Sequence, residues 1–294
     1  MNIIFNVKGG LGKSIISTAV LKAIKKKYKD AYIIVLTSYP DVFIDNPNAN
    51  KVMNHDDVSN LYDDYIKDQE AKVFISEPYL QSDYVTESKN LIEIWCNLCG
   101  VPFDNEEPEI FISKSEMEYF APFYKTEKPI MVIQPNGGAR NQPLKYNWVR
   151  DIPAVTIKKI IKKYKDKYTI VHVKREDQPS FKDTVAALDS FRSIAVLLIL
   201  SKKRLLIDSF TQHMAAALGL PSVVCWIGTN PKVFGYKGHI NIKANKENKK
   251  LNIQTKGFQK YSLVEDISRC PYKESSDIFD LNKITKAIDE QKNI

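Results

Sequence analysis

The chain has 294 residues, 44% hydrophobic and 27% charged, a balance that excludes a disordered or fibrous protein and suits two domains of roughly 150 residues each. Lys and Arg number 43 against 35 Asp and Glu, for a net charge of +8, and no apolar run reaches the roughly 18 residues needed to span a membrane. Ile3 to Val7 is too short for a signal-peptide core and runs straight into a glycine turn, so a cytosolic protein is expected.

The lysines, with runs at 25–27, 162–167 and 246–250, read as solvated helix faces, with attraction to an anionic lipid, glycolipid or nucleotide as the alternative. Peripheral association with the inner face of a membrane belongs to that alternative. Nucleic acid is not expected as a partner, because no helix-turn-helix, RNP or finger pattern accompanies the charge. Cys96 and Cys99 form a C-x-x-C within an apolar-periodic segment that has no second pair, which favours core packing over metal or redox use.

In chain order, Ile3–Val7 is a strand and Lys8 to Lys13 is a turn carrying Gly9, Gly10 and Gly12. Ile15, Ile16, Ala19, Val20, Ala23 and Ile24 then share a helical face, and Tyr32–Leu36 completes a βαβ unit. Lys8-Gly-Gly-Leu-Gly-Lys13-Ser14 fits the deviant Walker A pattern of partitioning-type ATPases. Two features count against that reading: Val7 stands where the first glycine of a full Walker A belongs, and the next strand ends in Leu36-Thr37-Ser38 without an acidic residue. Met53 to Asp68 reads as loop and short helix, and strand Ala71–Ile75 delivers Ser76 and Glu77 to the edge that faces the ligand in an open parallel sheet. Glu87 to Cys99 reads as a helix, Ser113 to Pro129 as a linker, and the domain boundary falls near 125.

The second domain opens with strand Ile130–Ile133 and a turn carrying Gly137 and Gly138, followed by a block with Lys145 and Trp148. A basic helix, 149–164, leads to strand 168–173, which ends in Lys174-Arg175-Glu176-Asp177, and a further helix covers 185–200. The stretch Arg204 to Gly228 organises the rest: a strand ends in Asp208-Ser209, a helix of small residues closes at Gly219-Leu220-Pro221, and a second strand follows. A strand end feeding a helix N-terminus offers unpaired N–H groups and the positive end of a dipole, a favourable place for a diphosphate. Residues 231–239 read as loop, and Asp280–Gln291 as a closing helix.

Asp208-Ser209, His213, the Ala-Ala-Ala-Leu-Gly-x-Pro run, the 137–148 turn with its Lys and Trp, and Asn46-Pro47-Asn48-Ala49-Asn50-Lys51-Val52 together resemble the ADP-heptose:lipopolysaccharide heptosyltransferases of glycosyltransferase family 9. The resemblance implies a GT-B architecture, two Rossmann-like α/β domains facing a central cleft. It also implies inverting, metal-independent transfer of heptose or a related sugar from a nucleotide-sugar, ADP-linked, to a glycan or lipopolysaccharide-type acceptor, with no cofactor. Residues 126–294 would bind the donor through Gly137, Gly138, Lys145, Asp208, Ser209 and His213, with Glu176 on the ribose. Residues 1–125 would bind the acceptor, with Gly10 and Gly12 in an acceptor or phosphate loop, and the last helix can cross back to them. The family's catalytic aspartate aligns with Lys13, a poor base at neutral pH unless desolvated. Lys13 is therefore expected to contact phosphate or an acceptor anion, and Glu77 to be the first substitute base, with Asp83 and Asp41 behind it. A relative that binds nucleotide-sugar without turnover and a P-loop ATPase are the alternatives.

Overall fold

The computed structural model describes residues 1–137, 149–245 and 272–292. By their contacts these form two units, Met1–Ile112 and Ser113–Ile294.

In the first unit β1 (Asn2–Val7), α1 (Leu11–Lys27), β2 (Tyr32–Thr37), β3 (Lys51–Asn54), α2 (Leu61–Tyr65), β4 (Ala71–Ile75), α3 (Ser82–Val85) and α4 (Leu91–Leu98) follow one another. The strands pair in parallel in the order β3-β2-β1-β4. Apolar runs such as Ile3-Ile4-Phe5 and Ile33-Ile34-Val35 are buried on both faces, as central parallel strands require. Trp95 of α4 is fully buried with its ring 5.8 Å from Phe5. The helix expected from Glu87 starts only at Leu91, because Glu87 sits at φ 53 and Asn90 is extended, its side chain capping the Ile92 N–H.

In the second unit α5 (Lys114–Phe120), β5 (Ile130–Ile133), α6 (Ala154–Tyr164), β6 (Thr169–His172), β7 (Val185–Ala186) and α7 (Phe191–Leu200) lead to β8 (Lys203–Ile207), α8 (Phe210–Ala217), β9 (Val223–Trp226), α9 (Pro231–Phe234), β10 (Ile240–Lys243) and α10 (Leu281–Glu290). The sheet is again parallel, in the order β10-β9-β8-β5-β6-β7. Its core gathers Met131, Ile133, Ile157, Leu205 and Ile207. The closing helix packs on the sheet of its own unit: Tyr164 Oη donates to Thr285 O at 3.0 Å, and Lys203 Nζ to Gln291 O at 2.8 Å.

Several sequence expectations shift here for local reasons. The segment expected to be a linker opens instead on α5, started by a capping box between Ser113 and Glu116. Glu116 also accepts from Arg192 of α7 at 2.7 Å, and Tyr124 Oη lies 2.6 Å from Ser193 Oγ, so residues 113–124 group with the second unit. The Arg192 guanidinium holds the Glu116 carboxyl down to about 2. Pro153 fixes the start of α6 at Ala154, later than expected. Residues Val185 and Ala186 pair with β6 as an edge strand, and the helix expected from there begins at Phe191. The expected loop 231–239 contains α9, begun by Pro231 with the Asn230 side chain accepting from Lys232 N–H.

Because both sheets are wholly parallel, the strand ends that carry ligands in such folds share one edge in each unit. Among the described residues no helix is long and apolar enough to cross a membrane.

Candidate functional site

At the carboxyl edge of the second sheet, β5 and β8 are neighbours, which brings the Gly137 turn beside Asp208-Ser209. Ser209 is extended and holds the N-cap position of α8, but its hydroxyl makes no capping bond. The first amides of a helix have no intrahelical acceptor; here the Gln212 N–H turns back to Ser209 O at 3.2 Å, and the Ser209 hydroxyl leaves the preceding amides uncapped. Thr211 Oγ1 donates to Gln134 Oε1, tying α8 to the end of β5.

Asp208 is 7% exposed and His213 4% exposed, with His213 Nε2 4.0 Å from Asp208 Oδ1. His213 Nδ1 lies 2.8 Å from Tyr236 Oη. Burial drives the His213 pKa down to about 4 against the pull of Asp208. At neutral pH this imidazole therefore supplies a hydrogen bond and no charge.

The Gly137 N–H is already used: it donates to Asp151 Oδ1 at 2.9 Å, beside Asn136 Nδ2 donating to Oδ2 at 2.9 Å. Burial pushes the Asp151 carboxyl up from its usual range. A Cβ on Gly137 would come within 2.9 Å of Arg150 Cδ and 3.0 Å of Ile207 Cδ1, so a larger residue would require those side chains to shift. Gln178 Nε2 donates to Gly137 O at 3.3 Å and draws the loop after β6 to this turn, with exposed Glu176 on the same loop. Gly138, Lys145 and Trp148 lie outside the described residues.

At the carboxyl edge of the first sheet, Gly9 adopts φ +117, a left-handed value that favours glycine, and Gly10 is the N-cap of α1. Gly12 and Lys13 fall inside the first turn of α1, where the Lys13 side chain folds back over Gly9; a Cβ there would sit 2.9 Å from Lys13 Cδ. Lys13 is 7% exposed, with Nζ 2.8 Å from Glu77 Oε2 and 5.2 and 5.3 Å from the rings of Trp95 and Tyr79. The second Glu77 oxygen accepts from Tyr79 N–H at 3.3 Å. The two residues singled out as catalytic candidates thus form an ion pair over the glycine turn. Asp83 accepts from Ser88 at 2.7 Å and lies 3.2 Å from Lys89 Nζ, and Asp41 sits in the turn at Pro40–Phe43.

Three further polar residues meet on this edge. His55 Nε2 is 2.9 Å from Asn6 Oδ1 and its Nδ1 is 3.0 Å from Ser38 Oγ. Their signal in the sequence was placement alone, since Ser38 and His55 each follow a strand. Cys96 and Cys99 are buried free thiols, pushed up to about 12 and about 11 by that burial, in keeping with packing. Among the described residues no cluster of three or more His, Cys, Asp or Glu is arranged to hold a metal. A hollow of about 480 Å³ lined by Thr126, Lys128, Lys165 and Asp183 lies at the opposite, amino-terminal ends of β5 and β6.

No protein-family model matches the sequence, and no curated protein matches it. Solved structures do match in three dimensions. A glycosyl transferase family 9 protein from Veillonella parvula superposes with a TM-score of 0.71 at 13% identity, covering 98% of this chain and 96% of its own. The E. coli ADP-heptose lps heptosyltransferase II gives 0.65 at 15% identity, over 84% of this chain and 91% of its own. The iron-containing dodecameric glycosyltransferase TibC from enterotoxigenic E. coli gives 0.64 at 13% identity, over 99% and 80%. At these identities the likeness is one of fold, and the chain has the α/β, GT-B-type fold of the heptosyltransferase-like glycosyltransferases of family 9.

Proposed function

We propose that the protein is an inverting glycosyltransferase that moves a sugar, heptose or a close relative, from an ADP-linked donor to a glycan or lipopolysaccharide-type acceptor. The observation that carries this reading is the uncapped start of α8 beside Asp208 and the Gly137 turn, in a chain with the fold of known heptosyltransferases. The second unit would hold the donor. Amides of α8 would face the diphosphate, with Lys145 supplying positive charge, His213 a neutral hydrogen bond and Glu176 an acceptor for the ribose hydroxyls. Preorganised donors of this kind stabilise charge on a leaving diphosphate, a role metal ions fill elsewhere. The first unit would bind the acceptor near Gly10 and Gly12 and supply the proton acceptor.

One observation favours a second reading. Lys13 stands where the resembled family places its catalytic aspartate and is committed to Glu77, which suits a protein that binds nucleotide-sugar without turnover. The ATPase reading is weakened by the same contact, because a P-loop lysine must reach phosphate.

Calorimetric titration with ADP-heptose separates these readings. Binding is expected without added metal and unchanged by Mg²⁺ or iron, and Asp208→Ala is expected to weaken it about 10- to 100-fold, or roughly 1.4 to 2.7 kcal/mol. Binding that requires Mg²⁺ and is lost in Lys13→Ala while Asp208→Ala retains it would contradict the proposal.

A further inference from the structure

We infer that Ser38, His55 and Asn6 form a proton relay that takes the proton of the attacking hydroxyl, an inference that rests on the glycosyl transfer proposed above. The three residues lie at the carboxyl ends of β2, β3 and β1, three neighbouring parallel strands, so the sheet itself gathers them. The Asn6 amide oxygen can only accept, so the 2.9 Å contact places the imidazole hydrogen on Nε2. That leaves the Nδ1 lone pair directed at Ser38 Oγ, 3.0 Å away, and Ser38 is exposed on the edge where a ligand would arrive. A hydroxyl, an imidazole and an orienting amide in hydrogen-bonded series are the parts of an activated nucleophile or a relay.

Glu77, the first substitute base expected from the sequence, is less suited. One of its oxygens takes the Lys13 ammonium at 2.8 Å and the other the Tyr79 N–H at 3.3 Å. Protonating it would leave the ammonium of Lys13, a residue only 7% exposed, without its counter-charge. The carboxylate and lysine hold each other in place, while the His55 Nδ1 lone pair faces the Ser38 hydroxyl.

In the step assigned to these residues the acceptor oxygen bonds to the anomeric carbon as the bond from that carbon to the diphosphate oxygen breaks, its electron pair leaving with the diphosphate. The acceptor proton passes to Ser38 Oγ while the Ser38 proton passes to His55 Nδ1, giving an imidazolium that later returns its proton to solvent. Asn6 is a positioning residue, fixing the tautomer that makes Nδ1 the base.

Release of ADP from ADP-heptose with water as acceptor tests this without knowledge of the natural acceptor. His55→Gln is expected to slow release by about 100-fold or more, the usual scale for losing a general base. Ser38→Ala should slow it less, and imidazole added to His55→Gly should restore part of the rate, which a purely structural histidine would not allow. Thermal stabilisation by ADP-heptose should persist in His55→Gln, showing that the variant is folded and still binds donor. The inference is overturned if His55→Gln stays within about 3-fold of wild type, if Glu77→Gln alone removes the activity, or if the wild type is stabilised by ADP-heptose yet releases no ADP. An absence of any stabilisation of the wild type would instead overturn the underlying reading.

Discussion

Lowering the pH from 6.5 towards 4 is expected to unfold the second unit, because three of its histidines are buried as neutral groups. His172, His213 and His239 are 1%, 4% and 7% exposed, and burial takes each pKa from 6.5 to about 4. Between those values the unfolded chain binds protons that the folded one refuses, so stability falls as the pH falls. At roughly 1.4 kcal/mol per pH unit, each histidine removes on the order of 3 kcal/mol by the bottom of the window, and together they rival the whole stability of a typical domain. The Glu116 carboxyl, held at about 2, adds a further loss below its ordinary 4.5. Asp151 acts in the opposite sense: its pKa is raised, so protonation relieves a buried charge as the pH drops. A titration followed by circular dichroism should show the loss between 6.5 and 4, and His172→Met should lower its midpoint. His172 is the informative site, since neither ring nitrogen has a hydrogen-bond partner among the described residues. A signal flat from 6.5 to 4 would contradict this assignment.

Arg204→Met is expected to cost about 3 to 5 kcal/mol, the scale for removing a buried charge that satisfies several groups. The side chain is 1% exposed and donates to Leu198 O at 3.2 Å, Ser201 O at 2.7 Å, Ser201 Oγ at 3.1 Å and Pro221 O at 2.9 Å. Its own backbone N–H donates to Gln291 Oε1 at 3.0 Å, and Gln291 Nε2 also reaches Pro221 O. One guanidinium thus joins the end of α7 to the turn before β9, and Gln291, which follows α10, is tied to the same place through the Arg204 backbone and Pro221 O. Burial lowers its pKa to about 10, which leaves it charged at neutral pH. Methionine fills the volume and strands those carbonyls, and lysine lacks the planar fork that serves them at once. A unit of this size should lose about 10 °C in Tm for either change. A loss under about 3 °C would show that water replaces the guanidinium at little cost.

How far the sequence disclosed this molecule depended on the range of the interaction involved. Ala71–Ile75 and Ile130–Ile133 coincide with their expected bounds because a short apolar run between polar residues is a local signal. The helix start after Asp208-Ser209 was legible for the same reason. The capping box at Ser113–Glu116 is an equally local Ser-x-x-Glu signal, and it lies in the segment expected to be a linker. The Lys13–Glu77 pair joins residues 64 apart and exists only because β4 lies beside β1, an adjacency no local pattern encodes. His55 and Asn6, 49 apart, are hidden in the same way. Gly137 was found by its turn, but the carboxylate that occupies its N–H comes from Asp151, beyond the segment thought to matter.

A crystal of the protein soaked with ADP-heptose tests the central claim most directly. The account predicts the diphosphate against the first turn of α8, beside Asp208 and His213, with the ribose towards the loop that carries Glu176. A diphosphate wrapped by Gly9, Gly10 and Gly12, with Lys13 swung away from Glu77 to meet it, would contradict the account and return the protein to the nucleotide-hydrolysing class.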